Sequence, residues 1–428
     1  MIFEKLIDED LGHVSYIVAC GQSGEAFIVD PRRDTFEYEQ FLEQKGLNLK
    51  YVFNTHTHAD YIGGHIELAL KYSIDNIFHY TTPIENFEIL KAKESDEFFV
   101  GTTLQVTIIE TPGHTPFDIS LLVVENGVEK LLFTGDLLFI GDIGRPDLLG
   151  EESLEYLVES SYDSALKLWQ FSDDIMVFSS HIEGSLCGKN LSRQYFSTIG
   201  IEKKTNESFS LSQESKERYI DNLLSQNIET PAFFKKMAGI NIAAPKSIAT
   251  IFEDLEELEF ESISNKNSIQ IVDLRQPSSF HKSHIQGSIN IYEGSNVSLI
   301  AGNLLDYDQD IYLVGDQNVD FDLFIMKLLR VGFDNIKGII QSDLGLIEAR
   351  YLVSTQMVSK DEIDESFTNI LLDQACSELG LTVQSTLSEV RQVDLTPYNR
   401  VFFSCNQGYK SSAMCHYVEP HKVFYIMD

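Results

Sequence analysis

The stretch "FNTHTHADYIGGH" at residues 53–65 places three histidines and an aspartate between an apolar run and two glycines. His56 and His58 flank a single residue, and Asp60 follows at the same spacing. On a loop that leaves a buried strand, such side chains can converge on one cation. Tyr61 stands where one more histidine would extend the pattern, and a phenol is a far poorer neutral metal ligand than an imidazole. The stretch therefore predicts a metal site that lacks one donor.

Further candidate metal ligands follow apolar, β-type runs elsewhere in the first half of the chain. His114 lies in "TPGHTP", Asp136 lies in "FTGDLLF" and His181 lies in "SSHIEGS". Each run would place its polar residue at the end of a strand, where loops gather into a site. A single histidine in a loop carries little weight, but several ligand types that all follow strands indicate a metal centre.

Short β-type runs alternate with helical patterns in the same region. "VSYIVAC" (14–20) and "EAFIVD" (25–30) are separated by "GQSG", which is typical of a hairpin. Residues 65–72 and 153–169 have the apolar spacing of amphipathic helices. Two groups of strands flanked by helices predict an α/β fold in which two sheets pack face to face with helices outside.

Together, these segments resemble the metallo-β-lactamase superfamily and are most similar to its persulfide dioxygenase branch. "FTGDLLFIGDIGRPDLL" (133–149) looks like the segment of that branch that carries the aspartate ligand. Residues 180–206, which begin "SHIEGSLCGKNLS", are similar to fusion proteins in which such a dioxygenase precedes sulfurtransferase domains. The resemblance implies an αββα sandwich over residues 1–240.

The resemblance also assigns His56, His114 and Asp136 to one Fe(II) ion per chain. Two imidazoles and one carboxylate leave three coordination positions open for O2 and a substrate sulfur. The implied substrates are small-molecule persulfides, such as those of glutathione or coenzyme A, which are oxidised to sulfite. The residues implied to act around the ion without binding it are His58, Asp60 and Tyr61 beside the ligands, with His181 and Arg145 as catalytic candidates. Tyr61 could equally be a packing residue, and Arg145 could equally pair with a neighbouring aspartate.

A Gly/Ala/Pro-rich stretch at residues 237–247 interrupts this pattern and predicts the main domain boundary. Beyond it, "IVDLRQPSSFHKSHIQGSINI" (271–291) resembles the opening of a rhodanese domain, and the resemblance implies such an α/β domain over residues 247–357. The loop expected to be catalytic reads "GDQNVD" and contains no cysteine. A second, abbreviated rhodanese-like domain is predicted over residues 362–428.

The segment "CNQGYKSS" (405–412) resembles the active loop of a rhodanese. A cysteine that opens a tight loop before a helix can be surrounded by backbone N–H groups, which lower its pKa and stabilise a bound persulfide. Cys405 is therefore the predicted sulfurtransferase nucleophile, and Lys410 is its predicted partner. Cys20 and Cys187 could carry sulfur between the two sites or could be buried, inert thiols.

The composition limits the partners of the chain. Its 66 acidic and 32 basic residues give a formal net charge of −34, and no basic run is long enough to follow a phosphate backbone. Nucleic acid and anionic membranes are therefore excluded as expected partners. The N-terminal "MIFEKLIDED" has no long apolar segment, so a cytoplasmic location is expected. We also expect a homo-oligomer, either a dimer or a tetramer.

Three functions remain open at this level. The first is a persulfide dioxygenase coupled to sulfur transfer at Cys405, giving thiosulfate in sulfide detoxification. The second is a dinuclear-zinc thioester hydrolase of the glyoxalase II type, because one fold can host either chemistry. The third is a non-catalytic, sulfide-responsive scaffold.

Overall fold

The computed structural model describes residues 1–226, 230–341 and 347–354, together with Ala413 and the backbone of five short strands between residues 356 and 425. The chain divides into two compact units. The first contains residues 1–230 and 234–245, and the second contains residues 231–233 and 246–428. The predicted division into three domains remains a prediction. In the described part of the chain, no helix combines the length and the apolar character needed to cross a bilayer.

The first sheet of the first unit contains the predicted hairpin as its second and third strands and continues with parallel strands. Its strands, in spatial order, are β1 (Ile2–Asp8), β2 (His13–Ala19), β3 (Glu25–Val29), β4 (Asn48–Phe53), β5 (Asp75–His79) and β6 (Leu90–Ala92). Antiparallel pairing joins β1, β2 and β3, whereas β3 to β6 are mutually parallel.

The second sheet is mostly antiparallel, and only one pair of its strands is parallel. Its strands are β7 (Glu97–Val100), β8 (Leu104–Glu110), β9 (Ile119–Glu125), β10 (Val128–Gly135), β11 (Met176–Ser179) and β12 (Ser197–Thr198). The parallel pair is β10 with β11. The helices of this unit are α1 (Phe36–Lys45), α2 (His65–Tyr72), α3 (Glu151–Trp169), α4 (Ile199–Thr205), α5 (Glu207–Glu214), α6 (Lys216–Leu224) and α7 (Phe234–Ala243).

Strand β2 shows how the layers are built. Tyr16 points into the core between the sheets, where its ring lies 5.0 Å from that of Phe133 in β10. The next residue, Ile17, points to the opposite face and packs in a cluster with Leu42 of α1. Both faces of the strand are buried, so its sequence shows no alternation of apolar and polar residues. On the outer face of the second sheet, α3, α5 and α6 form another apolar cluster, which confirms the predicted αββα sandwich.

The strand ends of both sheets approach each other at one edge of the sandwich. Strand β10 ends at Gly135, whose φ of 53° lies in the left-handed region that favours glycine. A Cβ at Gly135 would lie 2.6 Å from Thr55 Oγ1, in the loop after β4. Glycine therefore lets the end of β10 lie against the loop that carries His56.

Helix α7 fixes this loop through one buried amide. Asn241 Oδ1 accepts a hydrogen bond from Gly63 N at 2.9 Å, and its Nδ2 donates to His58 O at 2.8 Å and to Tyr61 O at 2.7 Å. The predicted domain end at residue 240 would have cut this helix, which belongs to the first unit. The Gly/Ala/Pro composition of residues 237–247 indicated a linker. In the structure, the hydrogen bonds of Asn241 anchor this segment to the metal loop.

The second unit is built on parallel sheets, as expected for rhodanese-like domains. The strands of its first sheet, in spatial order, are β13 (Glu256–Glu257), β18 (Ile336–Gln341), β17 (Asp310–Gly315), β14 (Ile269–Asp273) and β16 (Ile289–Asn290). A short antiparallel pair joins β15 (His284–Ile285) and β19 (Leu352–Val353). The helices are α8 (Ile248–Glu253), α9 (Pro277–Lys282), α10 (Val297–Leu304) and α11 (Phe321–Arg330), with 3-10 turns at Phe260–Ser262 and Ala349–Tyr351.

A second parallel sheet occupies the end of the chain. Its strands, in spatial order, are β20 (Gln356–Met357), β24 (Val423–Tyr425), β23 (Val401–Ser404), β21 (Thr368–Leu371) and β22 (Leu381–Gln384). Strand β20 precedes the boundary predicted at residue 362, so a neighbouring segment adds to the sheet of the abbreviated domain. Strand β23 ends one residue before Cys405, and Cys405 and Lys410 themselves lie outside the described residues.

The hydrogen bonds of Asn241 generate the first prediction. Replacing Asn241 by Ala removes three hydrogen bonds in a buried environment. We expect the free energy of unfolding of the first unit to fall by about 2–4 kcal/mol, at roughly 1 kcal/mol per bond plus the cost of unsatisfied groups. Urea denaturation followed by circular dichroism measures this loss. Hydrogen exchange of residues 56–65 should accelerate as well.

Asn86→Ala is the matched control, because Asn86 Nδ2 donates a single exposed hydrogen bond to Ala243 O of the same helix. Its cost should stay below about 1 kcal/mol. Equal costs for the two variants would contradict the role of Asn241 as an anchor of the loop.

Candidate metal centre

Three predicted ligands meet at the edge of the sandwich. His56 comes from the loop after β4, His114 follows β8, and Asp136 follows β10 directly. Asp136 Oδ2 lies 3.7 Å from His56 Nε2 and 3.6 Å from His114 Nε2. All three residues are buried, and one donor atom of each lies within 4.8 Å of the others. The structure therefore brings together the three residues that the sequence analysis assigned to one ion.

The donor set of this group fits a cation. Asp136 Oδ2 is buried and accepts no hydrogen bond from the described residues. A buried carboxylate oxygen without a partner is costly unless a cation or a proton binds it. The two imidazole Nε2 atoms face the same point, so the arrangement is a metal-binding site in which two nitrogens and one oxygen converge.

Hydrogen bonds at the far side of each imidazole fix the orientation of the ligands. The Thr55 hydroxyl donates its one proton to Asp30 Oδ2 at 2.8 Å. Its oxygen is therefore the acceptor in the second hydrogen bond, which His56 Nδ1 donates at 2.9 Å. His114 Nδ1 donates to the backbone carbonyl of Arg145 at 2.9 Å. Both imidazoles therefore carry their proton on Nδ1 and present a bare Nε2 to the metal position.

Burial also sets the charge of the ligands. Desolvation lowers the pKa of His56 well below its usual range, and the neighbouring His58 lowers it further. Desolvation likewise lowers the pKa of His114. Burial opposes ionisation of Asp136, but His181 and His56 overcome it and hold the pKa of that carboxyl well below its usual range. Neutral imidazoles and an ionised carboxylate are the forms that bind metal.

His58 and Tyr61 lie outside the three-ligand group. His58 is buried but is not a member of the group, and its Nε2 lies 3.2 Å from Asp30 Oδ1. The Tyr61 hydroxyl donates to the backbone carbonyl of Asp30 at 3.2 Å. Burial raises the pKa of Tyr61 well above its usual range, and Asp30 raises it further. Tyr61 is therefore a neutral phenol, and its ring packs 4.1 Å from that of His13.

Asp30 is a residue of the site that the sequence analysis missed. Its carboxylate accepts hydrogen bonds from Thr55 N at 2.7 Å and from Ser180 Oγ at 2.6 Å, besides that from the Thr55 hydroxyl. Its φ of 49° is uncommon for a residue other than glycine, although aspartate tolerates it better than most. The sequence feature that could have identified Asp30 as a site residue is its position directly after the buried strand β3.

His13 is the second residue that was missed. It is fully buried, and neither ring nitrogen has a hydrogen-bond partner among the described residues. Its ring contacts those of His58, Tyr61 and His181. Desolvation lowers the pKa of His13 well below its usual range, so it is neutral. His13 lies at the start of β2, far in sequence from the three metal ligands, so no spacing pattern connected it with them.

A second group of donors lies beside the first. Asp60, His181 and Cys187 are buried, and one donor atom of each lies within 4.8 Å of the others. His181 donates from Nδ1 to Asp136 Oδ1 and from Nε2 to Asp60 Oδ2, both at 2.7 Å. Despite burial, Asp136 and Asp60 raise the pKa of His181 well above its usual range. Burial raises the pKa of the Cys187 thiol, as do Asp60 and Asp136.

Arg145 and Cys20, two further residues predicted from the sequence, belong to neither group of donors. The Arg145 guanidinium forms an ion pair with Asp147, with Nε 2.7 Å from Oδ1, and donates to Thr230 Oγ1 at 2.8 Å. The alternative of a salt bridge with a neighbouring aspartate is therefore present, and a catalytic role for this side chain stays a prediction. Cys20 follows β2 at the end opposite to His13, roughly 23 Å away at 3.3 Å per residue. This position decides neither alternative for Cys20, a sulfur carrier or an inert buried thiol.

Family models match both units of the chain. The model of the metallo-beta-lactamase superfamily matches residues 8–181, and the model of the rhodanese-like domain matches residues 257–340. The first match includes all the residues of the three-ligand group. The second begins at the last residue of β13 and ends within β18.

The curated relatives of the chain include hydrolases. A hydroxyacylglutathione hydrolase from Polaromonas sp. is 29% identical over 178 residues, which represent 40% of this chain and 64% of that protein. The hydroxyacylglutathione hydrolase GloC from Haemophilus influenzae is 30% identical over 200 residues, which represent 42% of this chain and 85% of that protein.

A solved structure extends the likeness beyond the first unit. The crystal structure of a metallo-beta-lactamase from Staphylococcus aureus subsp. aureus COL is 31% identical, with a TM-score of 0.69, and the match covers 80% of this chain and 99% of that one. The family models, these relatives and the ligand geometry agree. The chain belongs to the metallo-β-lactamase superfamily and carries a rhodanese-like domain after its metal-binding unit.

Proposed function

We propose that this chain is a non-haem Fe(II) persulfide dioxygenase coupled to sulfur transfer. The observation that carries the proposal is the donor set. Two histidines and one carboxylate converge on one position, whereas His58 lies against Asp30 and Tyr61 donates to a backbone carbonyl. Two imidazoles and a carboxylate with open positions are typical of non-haem Fe(II) oxygenases.

The proposed reaction is RSSH + O2 + H2O → RSH + SO3²⁻ + 2H⁺, in which the outer sulfur of the persulfide is oxidised to sulfite. Iron supplies the oxygen chemistry when bound at His56, His114 and Asp136. The protein orients these ligands through Thr55 and the Arg145 carbonyl, and it buries them so that water is excluded.

Charged and polar groups beside the metal position have a separate role. His181 donates to both Asp136 and Asp60, so it holds a proton next to the position where an anionic, oxidised sulfur would form. We propose that this imidazolium stabilises that charge. The electrostatic benefit is large because the site is buried and excludes competing water.

Cys405 supplies the coupled step. A persulfide on Cys405 would transfer its outer sulfur to sulfite, in the balanced exchange Cys–S–S⁻ + SO3²⁻ → Cys–S⁻ + S2O3²⁻. The sequence resemblance of residues 405–412 to a rhodanese active loop supports this step, as does the end of β23 at Ser404. By contrast, β17 ends at Gly315, where the first copy has no thiol.

A dinuclear thioester hydrolase is the second candidate, and two observations favour it. Two curated relatives are named hydroxyacylglutathione hydrolases, and Asp60 and His181 lie in a second group able to hold a metal ion. In such an enzyme, a metal-bound hydroxide would attack the thioester. The positions of His58 and Tyr61 count against it.

Metal content and substrate turnover separate the two candidates. Protein purified without oxygen should contain one iron per chain, and it should consume O2 with glutathione persulfide or coenzyme A persulfide. An oxygen electrode and elemental analysis measure both quantities. Two zinc ions per chain, thioester turnover and no oxygen uptake would instead identify the hydrolase.

Removing one ligand tests the assignment of the site. His114→Ala deletes one of three ligands, so we expect loss of bound iron and a fall in oxygen uptake of more than about 100-fold, the upper range found for supporting partners of a metal site. His79→Ala is the matched control, because His79 is a buried histidine of the same unit whose Nε2 lies 3.3 Å from Glu110. Retention of iron by the His114 variant would contradict the assignment.

Replacing Cys405 tests whether persulfide oxidation and sulfur transfer occur at separate sites. Cys405→Ser removes the proposed sulfur carrier but leaves the iron site intact, so sulfite formation should persist while thiosulfate formation stops. Ion chromatography of the products distinguishes the two anions. Parallel loss of sulfite and thiosulfate would contradict separate roles, and Cys20→Ser, which alters another thiol, should change neither product.

A further inference from the structure

Asp118 is a buried carboxylate in the loop that carries His114. This loop, residues 111–118, joins strands β8 and β9, and Asp118 is its last residue. The residue is 4% exposed, and its carboxylate accepts hydrogen bonds from three neutral donors of the described residues. A buried carboxylate is costly unless such donors satisfy it, so the folded loop depends on these three hydrogen bonds.

All three donors belong to a metal ligand or to the residue after it. Asp118 Oδ2 accepts hydrogen bonds from His114 N at 2.8 Å and from Thr115 N at 2.7 Å. Asp118 Oδ1 accepts the third hydrogen bond, from the Thr115 hydroxyl. Since the two backbone N–H groups flank the Cα of His114, one carboxylate oxygen fixes the backbone from which that imidazole projects.

The residue after Asp118 connects the same loop with the other imidazole ligand. Ile119 N donates a hydrogen bond to the Thr55 carbonyl oxygen at 2.9 Å. Thr55 precedes His56, and its hydroxyl oxygen accepts the hydrogen bond from His56 Nδ1 at 2.9 Å. Asp118 and Ile119 therefore hold the loops of both imidazole ligands, whose ring centroids lie 5.1 Å apart with an interplanar angle of 83°.

We propose that Asp118 is a positioning residue that fixes the separation and angle of the His56 and His114 imidazoles. It acts through hydrogen-bond geometry rather than through charge, because its three donors are neutral groups. The Arg145 carbonyl orients the ring of His114, whereas Asp118 holds the backbone that carries this ring. Hydrogen-bond partners that orient metal ligands support metal affinity by about 10–100-fold. This role depends on the metal site and not on the proposed oxidation.

Cobalt binding tests this role, because the visible absorption of bound Co²⁺ reports the geometry of its ligands. The full-length protein and its variants are loaded with Co²⁺, and a chelator of known affinity competes for the ion. Asp118→Ala removes all three hydrogen bonds, so we expect the Co²⁺ affinity to fall by about 10–100-fold and the absorption bands to shift. Asp118→Asn keeps an oxygen that can accept from both backbone N–H groups, so we expect its affinity and its bands to stay close to those of the unmodified protein.

Asn206→Ala is the matched control for a general loss of stability. Asn206 is fully buried, and its side chain donates to Glu202 Oε2 at 3.0 Å. None of the hydrogen bonds that the described residues make with this side chain involves residues 55–58 or 111–118. This variant should therefore lose stability while it keeps its Co²⁺ affinity and its absorption bands.

Thr115→Val is a second variant, which nearly preserves the volume of the side chain and deletes only the hydroxyl bond to Asp118. Its Co²⁺ affinity should fall by about fivefold, as expected for the loss of one hydrogen bond. Circular dichroism verifies the folding of every variant, and Thr115→Val decides the question if Asp118→Ala does not fold.

Three results would overturn the proposal. The first is Co²⁺ binding like that of the unmodified protein in Asp118→Ala, or in Thr115→Val in its place. The second is an affinity of Asp118→Asn as low as that of Asp118→Ala, and the third is an equal loss of affinity in Asn206→Ala. Because Co²⁺ binding requires neither iron nor a persulfide, this test and the tests of the proposed function fail independently.

Discussion

The buried carboxylate of Asp30 joins the two sheets beneath the metal centre, and the geometry of the site depends on it. It accepts hydrogen bonds from Thr55, after β4 of the first sheet, and from Ser180, after β11 of the second. Through Thr55 it orients His56 toward the metal position, and His58 lies against its other oxygen. This single side chain therefore orients His56 through Thr55 and also lies beside His58. The left-handed backbone of Asp30 is the conformational cost of that arrangement.

Asp136 divides the centre into two halves with different chemistry. Its Oδ2 faces two neutral imidazoles, which suit an ion with open coordination positions. Its Oδ1 accepts a hydrogen bond from His181, which lies in a second group of donors with Asp60 and Cys187. Tyr61 belongs to neither group of donors. The number and kind of metal ions bound here, rather than the fold, separate the proposed oxidation from a dinuclear hydrolysis.

Much of the first unit could be predicted from the sequence, because local patterns determine its elements. The hairpin, α2 and α3 follow from turn residues and apolar spacing, and the candidate ligands were found because each follows a buried strand. The family resemblance then selected His56, His114 and Asp136 among those candidates. Contacts between distant segments could not be predicted. Asn241 lies in a stretch whose composition is typical of a linker, yet its amide bonds hold the metal loop. Asp30 and His13 become part of the site only when both sheets pack.

The most direct test of the central claim is anomalous diffraction at the iron edge from crystals grown without oxygen. The account predicts one iron peak within bonding distance of His56 Nε2, His114 Nε2 and Asp136 Oδ2, with His58 still against Asp30. Two metal peaks, with the His58 imidazole turned away from Asp30 to bind one of them, would contradict it.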